Sequence, residues 1–242
     1  MRLLLTRPEQ DASGSRAKLV AQGHVVESVP LIDIRYFDDV PLPQLAWQAL
    51  LVTSGNAARA LGRHKDSAGL THLPVLAVGD QSATRMTEMG FPHVESADGD
   101  VVALAALVRQ RLDPKGGPLL HVAGSVRAGD LVQMLSDAFE CRRVVLYEAI
   151  AAAALPDALA QMLKSQALDA ILFYSPRTAR IFHALAAEAD LLGTLHNLTA
   201  YCLSPAVATS LPKGKFRHVR VAPDPKESAL FDLIAQDQRQ VD

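Results

Sequence analysis

The sequence predicts an α/β fold built as two parallel-sheet lobes of one strand-turn-helix plan, and three observations predict it. Of the 242 residues, 49% are hydrophobic and 21% charged, which suits a chain with a sizeable core and excludes a disordered one. Short apolar runs alternate with Ala- and Leu-rich stretches punctuated by Gly and Pro, the pattern of buried strands between helices. The order of these units then repeats once along the chain.

Leu3 to Leu5 read as a buried strand, Thr6-Arg7-Pro8-Glu9 as a turn into a helix through Ala17, Leu19 and Val20, and Gly23 as its stop before a strand around Val25 to Val29. The same order recurs with Leu119 to Val122, the turn Ala123-Gly124-Ser125, a helix through Leu131, Met134 and Leu135, and a strand at Val144 to Tyr147. A second pair sets Leu50-Leu51-Val52-Thr53-Ser54-Gly55 against Ile171-Leu172-Phe173-Tyr174-Ser175-Pro176. A third sets Val75 to Ala83, with Gly79 and Ser82, against Ala200 to Ala208, with Ser204. In both copies of the third pair a short strand and a final helix follow. Matching positions such as Leu4 and Leu120, or Gly79 and Ser204, stay about 116 to 125 residues apart, as expected of an internal duplication.

The junctions fall at Ile32 to Pro43, where Asp38-Asp39 and two prolines interrupt the pattern, and at Ala149 to Pro156, around an alanine run. This divides the chain into a discontinuous lobe of residues 1–35 plus 151–242 and an inserted lobe of residues 36–150, joined by a two-segment linker. With 24 basic and 26 acidic residues there is no field to gather nucleic acid or anionic lipid. Cys141 and Cys202 lack the spacing of a disulfide framework or a zinc site, and the eight histidines are scattered, so no metal is expected. The apolar run after Met1 is too short for a signal peptide and no run approaches a membrane span, which points to a cytoplasmic protein.

In open parallel sheets, ligands meet the carboxyl ends of strands, where turns lead into helix N-termini that carry unpaired amides. Thr53-Ser54, Gly79 to Ser82, Gly124-Ser125, Ser175-Pro176 and Ser204-Pro205 are small, polar turns at such ends, suited to carboxylates or phosphates. Each Ser or Thr can equally be no more than the cap of its own helix. Arg7, Arg127 and Arg177 stand beside these turns as candidate anion partners or as surface arginines. His121, inside an apolar strand, reads as a core histidine. There is no phosphate-binding G-x-x-x-x-G-K-[ST], no dinucleotide G-x-G-x-x-G between strand and helix, and no G-x-S-x-G elbow. Nucleotide cofactors and serine hydrolysis are therefore not favoured.

Six ordered blocks together resemble the uroporphyrinogen-III synthase family. They are Leu4-Leu5-Thr6-Arg7-Pro8, the G-x-x-V and P-L pattern of Gly23 to Leu31, Thr53 to Ala57 as T-S-x-N-A, Val78 to Ala83 as V-G-x-x-x-A, Val144 to Ile150 with its V-x-x-Y, and Phe173 to Pro176 as F-x-S-P. The resemblance spans nearly the whole chain and implies a bilobal, cofactor-free enzyme that holds hydroxymethylbilane between its lobes. The family's reaction expels the terminal hydroxyl as water, and ring D attacks the resulting azafulvene cation to give a spiro intermediate that rearranges and closes with ring D inverted.

By the same resemblance Tyr147 is the catalytic candidate, a phenol able to donate to the departing hydroxyl. Thr6, Arg7, Thr53, Ser54, Gly79, Ser82, Gly124, Ser125, Arg127, Ser175, Pro176 and Ser204 are expected to contact the acetate and propionate groups. A monomer is the default, and transient contact with the preceding pathway enzyme is left open. One departure stands out: Ser204-Pro205-Ala206-Val207 replaces the family's usual G-P-x-T, which removes a Gly and a hydroxyl that Gly79 and Ser82 retain in the other lobe. A non-catalytic tetrapyrrole or carboxylate binder on the same scaffold is the competing reading, with a regulatory receptor domain behind it.

Overall fold

The computed structural model describes residues 1–126 and 129–239. It divides into two compact units, Met1–Asp33 with Ile150–Asp242, and Ile34–Ala149. In the first, β1 (Arg2–Leu5), β2 (Val25–Ser28), β9 (Ala170–Phe173), β10 (Thr199–Cys202) and β11 (His218–Val221) form a parallel sheet of order β11-β10-β9-β1-β2. The central strand β9 is buried from end to end, and β1 and β10 are buried beyond their first residue. Successive side chains of a strand point to opposite faces, so each face carries its own apolar layer. Leu4, Ile171, Phe173 and Ala200 pack under α6 (Asp157–Lys164), α7 (Pro176–Glu188) and the one-turn α8 (Pro205–Ala208). Leu3, Leu5, Leu172 and Tyr201 pack under α1 (Glu9–Ala21) and α9 (Glu227–Arg239).

The second unit repeats the scheme. β4 (Ala49–Val52), β5 (Val75–Ala77), β6 (Val94–Ser96), β7 (Leu119–Gly124) and β8 (Cys141–Ala151) pair in parallel. With β3 (Ile32–Tyr36) at the edge the order is β3-β8-β7-β4-β5-β6. Leu50, Val52, Leu120 and Val122 face α2 (Gly55–Arg63) and α3 (Asp80–Glu88). Ala49, Leu51 and Leu119 face α4 (Val101–Arg111) and α5 (Leu131–Leu135). The strand orders β2-β1-β9-β10-β11 and β8-β7-β4-β5-β6 are equivalent, and they match the three sequence repeats pair by pair. No α6 counterpart precedes β4. Leu42 and Trp47, from the irregular chain ahead of that strand, fill the place in the core.

Two expectations about the junctions need correction. Ile32 to Tyr36 is strand rather than linker, and Ala149 to Ala151 belong to β8. The Phe37 amide donates to the Leu146 carbonyl and the Ala152 amide to the Leu31 carbonyl. Numbers rise along one strand as they fall along the other, so β3 and β8 run antiparallel beside parallel neighbours. Ile32 and Ile34 are buried while Asp33 and Arg35 are exposed, and this alternation is the strand signal that the Asp-Asp and proline cluster downstream obscured.

The first unit's core is anchored by Phe173 and Phe182, whose rings meet edge-on at 5.3 Å. Truncation of Phe182 to alanine is expected to lower the unfolding free energy by about 3–5 kcal/mol in urea denaturation, since the side chain is wholly buried.

Candidate functional site

In the second unit, five of the expected residues, Thr53, Ser54, Gly124, Ser125 and Tyr147, come together. Ser54 is the N-cap of α2, its Oγ accepting the Ala57 amide at 3.1 Å. The same Oγ lies 2.9 Å from the Tyr147 hydroxyl, although the two residues are 93 apart in sequence. Between Ala123 and Gly124 the pairing of β7 with β8 slips by one residue, so Ala123 faces Val145 but Gly124 faces Tyr147. Such a bulge re-aims a side chain, and here it lays the phenol against Gly124. A Cβ on Gly124 would stand 2.6 Å from the tyrosine Cζ and 2.9 Å from its hydroxyl, so this glycine is required by close approach of the ring. The Ser125 amide donates to the Tyr147 carbonyl at 2.9 Å, locking the turn to the same residue.

Thr53, Ser54, Gly124 and Tyr147 line a cavity of about 70 Å³ together with residues that the sequence did not point to as a site: His121, Asp130 and Arg143. Asp130 caps α5, accepting the Gln133 amide at 3.1 Å. Arg143 donates from Nη2 to the carbonyls of Gly124 and Ser125, bracing the turn from below. Nothing local separates Arg143 from Arg142, which instead pairs with Glu140 on the surface. His121 is buried, as a core histidine would be, yet it borders the cavity and its Nε2 lies 3.3 Å from Thr53 Oγ1. Burial, then the Arg143 charge, lowers its pKa to about 4 against the opposing effect of Asp130.

Gly79 and Ser82 lie at the end of the neighbouring β5. Gly79 caps α3 in extended backbone, its carbonyl accepting the amides of Ser82 and Ala83. A Cβ there would meet nothing within 4 Å, so the residue fronts open space. Ser204, its counterpart, has nearly the same backbone, φ −154° against −157°. Serine is thus accommodated without strain. The two turns differ in the helices they open, because α8 has 4 residues where α3 has 9, and buried Val207 replaces Ser82. A one-turn helix presents a weaker N-terminal field.

In the first unit, Ser175 caps α7, Pro176 opening the helix, and its Oγ meets the Thr178 amide and hydroxyl at 3.1 and 2.9 Å. Thr6 is buried and its hydroxyl donates to the Leu172 carbonyl at 3.3 Å. Arg7 stacks 4.1 Å over the Tyr174 ring and donates at 2.8 Å to Glu227, which also takes the Ser15 hydroxyl. Its Nη1 is therefore committed to internal partners. Arg127 lies outside the described residues.

Two outcomes test this geometry. Gly124→Ala should displace the Tyr147 ring and cost about 1–3 kcal/mol in urea unfolding, as overpacking does. For His121 the sign follows from its lowered pKa: below about 6.5 the unfolded chain gains a proton that the folded chain refuses until about pH 4. This group therefore costs no stability above 6.5, and its cost grows as the pH falls. His121→Leu should reduce the fall in unfolding free energy between pH 7 and pH 5 by about 2 kcal/mol, and an unchanged fall would show that the imidazole is not held neutral.

Solved structures share this fold. The uroporphyrinogen-III synthetase of Helicobacter pylori 26695 superposes with a TM-score of 0.64 at 17% identity, over 98% of this chain and 99% of that one. A mutant uroporphyrinogen III synthase of the extremely thermophilic bacterium Thermus thermophilus gives 0.57 at 18% identity, over 99% of both. These likenesses show the shared α/β fold. No curated protein sequence matches the chain. Among the described residues no helix is long and apolar enough to cross a membrane. The family model described as uroporphyrinogen-III synthase HemD matches residues 14–232. The chain therefore belongs to the uroporphyrinogen-III synthase family, cyclising lyases that form uroporphyrinogen III in tetrapyrrole biosynthesis.

Proposed function

We propose that this chain dehydrates and closes hydroxymethylbilane at the cavity beside Tyr147, with Tyr147 as the proton donor to the departing hydroxyl. The observation that carries the reading is the 2.9 Å contact between the Ser54 and Tyr147 hydroxyls. Ser54 Oγ accepts the Ala57 amide and keeps one proton to give. When that proton goes to the phenol oxygen, the phenol's own proton is left to donate to a ligand. The same bond then stabilises negative charge that develops on the tyrosine as its proton leaves.

The step balances without an added reagent. The tyrosine proton joins the terminal hydroxyl, which leaves as water, and the carbon left behind becomes the azafulvene cation. Attack by ring D and rearrangement end in ring closure, which expels one proton and so restores the tyrosine. The demands on the protein are to hold a flexible chain with its ends together and to steady transient cations. Gly79 to Ser82, Ser175-Pro176 and Ser204-Pro205 open helices α3, α7 and α8, and the non-proline amides left unpaired at these helix ends are suited to the substrate's acetate and propionate groups. Backbone donors survive side-chain replacement, which is why Ser204 in place of Gly leaves that turn usable. The protein acts as a monomer in the cytoplasm, on a small-molecule substrate and without a cofactor.

The test supplies freshly made hydroxymethylbilane to the purified protein and separates the product isomers after oxidation. Isomer III is expected, and Tyr147→Phe should slow its formation roughly 10²- to 10⁴-fold if the phenol is the general acid. Isomer I alone from the wild type would overturn the reading, and unchanged turnover in Tyr147→Phe would remove Tyr147 from the mechanism.

A further inference from the structure

A histidine stands in the middle of β7 between Leu120 and Val122, where burial is complete on both sides and an apolar residue would fit at no desolvation cost. We infer that His121 is a positioning residue for the reaction: its Nε2–H donates to the Thr53 hydroxyl and so turns the Thr53 proton toward the cavity that Tyr147 lines. The inference rests on the placement of the reaction at that cavity, proposed above.

The surroundings of the two ring nitrogens decide which one carries the proton. His121 is 7% exposed, its Nε2 is 3.3 Å from Thr53 Oγ1, and its Nδ1 is buried with no hydrogen-bond partner among the described residues. The charged groups that act on it, Arg143 and Asp130, pull in opposite directions, and burial prevails to keep the ring neutral above about pH 4. A neutral imidazole carries a single N–H. On Nδ1 that proton would be a buried donor without a partner among the described residues. On Nε2 it is used by Thr53, and only an acceptor lone pair is left unpaired, the less costly outcome.

Thr53 Oγ1 is then an acceptor from His121, which leaves its own proton to be given elsewhere. Thr53 adjoins Ser54 at the end of β4, and both border the cavity with His121 and Tyr147. Two hydroxyl donors, Thr53 and Tyr147, thus serve one small space, each oriented by a partner behind it. His121 does for Thr53 what Ser54 does for Tyr147.

Two measurements test this. Imidazole ¹⁵N signals of histidine-labelled protein, with His121 identified by its loss in His121→Phe, should show the neutral Nε2–H form at pH 7; the Nδ1–H form or a cation would overturn the inference. In kinetics with hydroxymethylbilane, His121→Phe should lower kcat/KM roughly 3- to 10-fold, the worth of one neutral hydrogen bond, and His121→Gln, which retains a donor, should recover most of it. The double variant with Thr53→Val should be no slower than Thr53→Val alone, because both remove the same interaction. Additive losses, or an unaffected His121→Phe beside a slowed Thr53→Val, would overturn the His121 step alone. Full activity in both Thr53→Val and Tyr147→Phe would instead overturn the placement of the reaction here, and the functional half of this inference with it.

Discussion

A parallel strand can be followed by its neighbour only after the chain has crossed back along a face of the sheet, so all strands of such a sheet end at one edge and the following helices begin there. This constraint governs both units. The strand interiors are buried on both faces, under α6, α7 and α8 or α1 and α9 in one unit and under α2 and α3 or α4 and α5 in the other. Polar chemistry is concentrated at the strand ends, with His121 in mid-β7 as the exception in the second unit. Ser54, Gly79, Ser175 and Ser204 all occupy N-cap positions at that edge, and the amides behind them are the donors that the topology repeats.

The duplication supplies two copies of this edge, and they have diverged in physical character. Where the second unit has Thr53 after β4, Ala123 near the end of β7 and Val101 opening α4, the first has Tyr174, Arg7 and Glu227. The second unit's set is small and borders a cavity with Tyr147. The first unit's set is large and charged and bonds to itself: Arg7 lies on Tyr174 and pairs with Glu227, both partners being mostly shielded from solvent. Burial and the nearby Glu227 carboxylate also push the Tyr174 hydroxyl well above the usual phenol range, so it stays protonated. One copy has thereby become a structural joint while the other retains room for a ligand. The shorter α8 after Ser204 continues the same divergence.

Local periodicity carried most of the fold. The apolar runs at Leu3 to Leu5, Leu50 to Val52 and Ile171 to Phe173 are strands because each is short, wholly apolar and bounded by turn residues, and the repeat order matches the strand equivalences. Ser54 and Ser175 were readable as caps because a cap acts three residues ahead on its own chain. The hydrogen bond between Ser54 and Tyr147 and the contact of Thr53 with His121 cross 93 and 68 residues and depend on which strands adjoin. Arg143 and His121 carry no local signal of a site for that reason: one looks like its neighbour Arg142, the other like core.

By itself the sequence determined two copies of a parallel α/β plan, small polar turns at their strand ends, and a family resemblance strong enough to single out Tyr147 as a candidate. Only the tertiary structure decided that β3 joins the sheet antiparallel and that the one-residue slip opposite Gly124 brings the phenol to Ser54. It also decided that Arg7 is held by Glu227 and that a buried histidine backs Thr53. The physical reason is range. Helix, strand and cap are selected by residues a few positions apart, whereas the partners of a side chain at a sheet edge are selected by strand order and register, which the whole core sets at once.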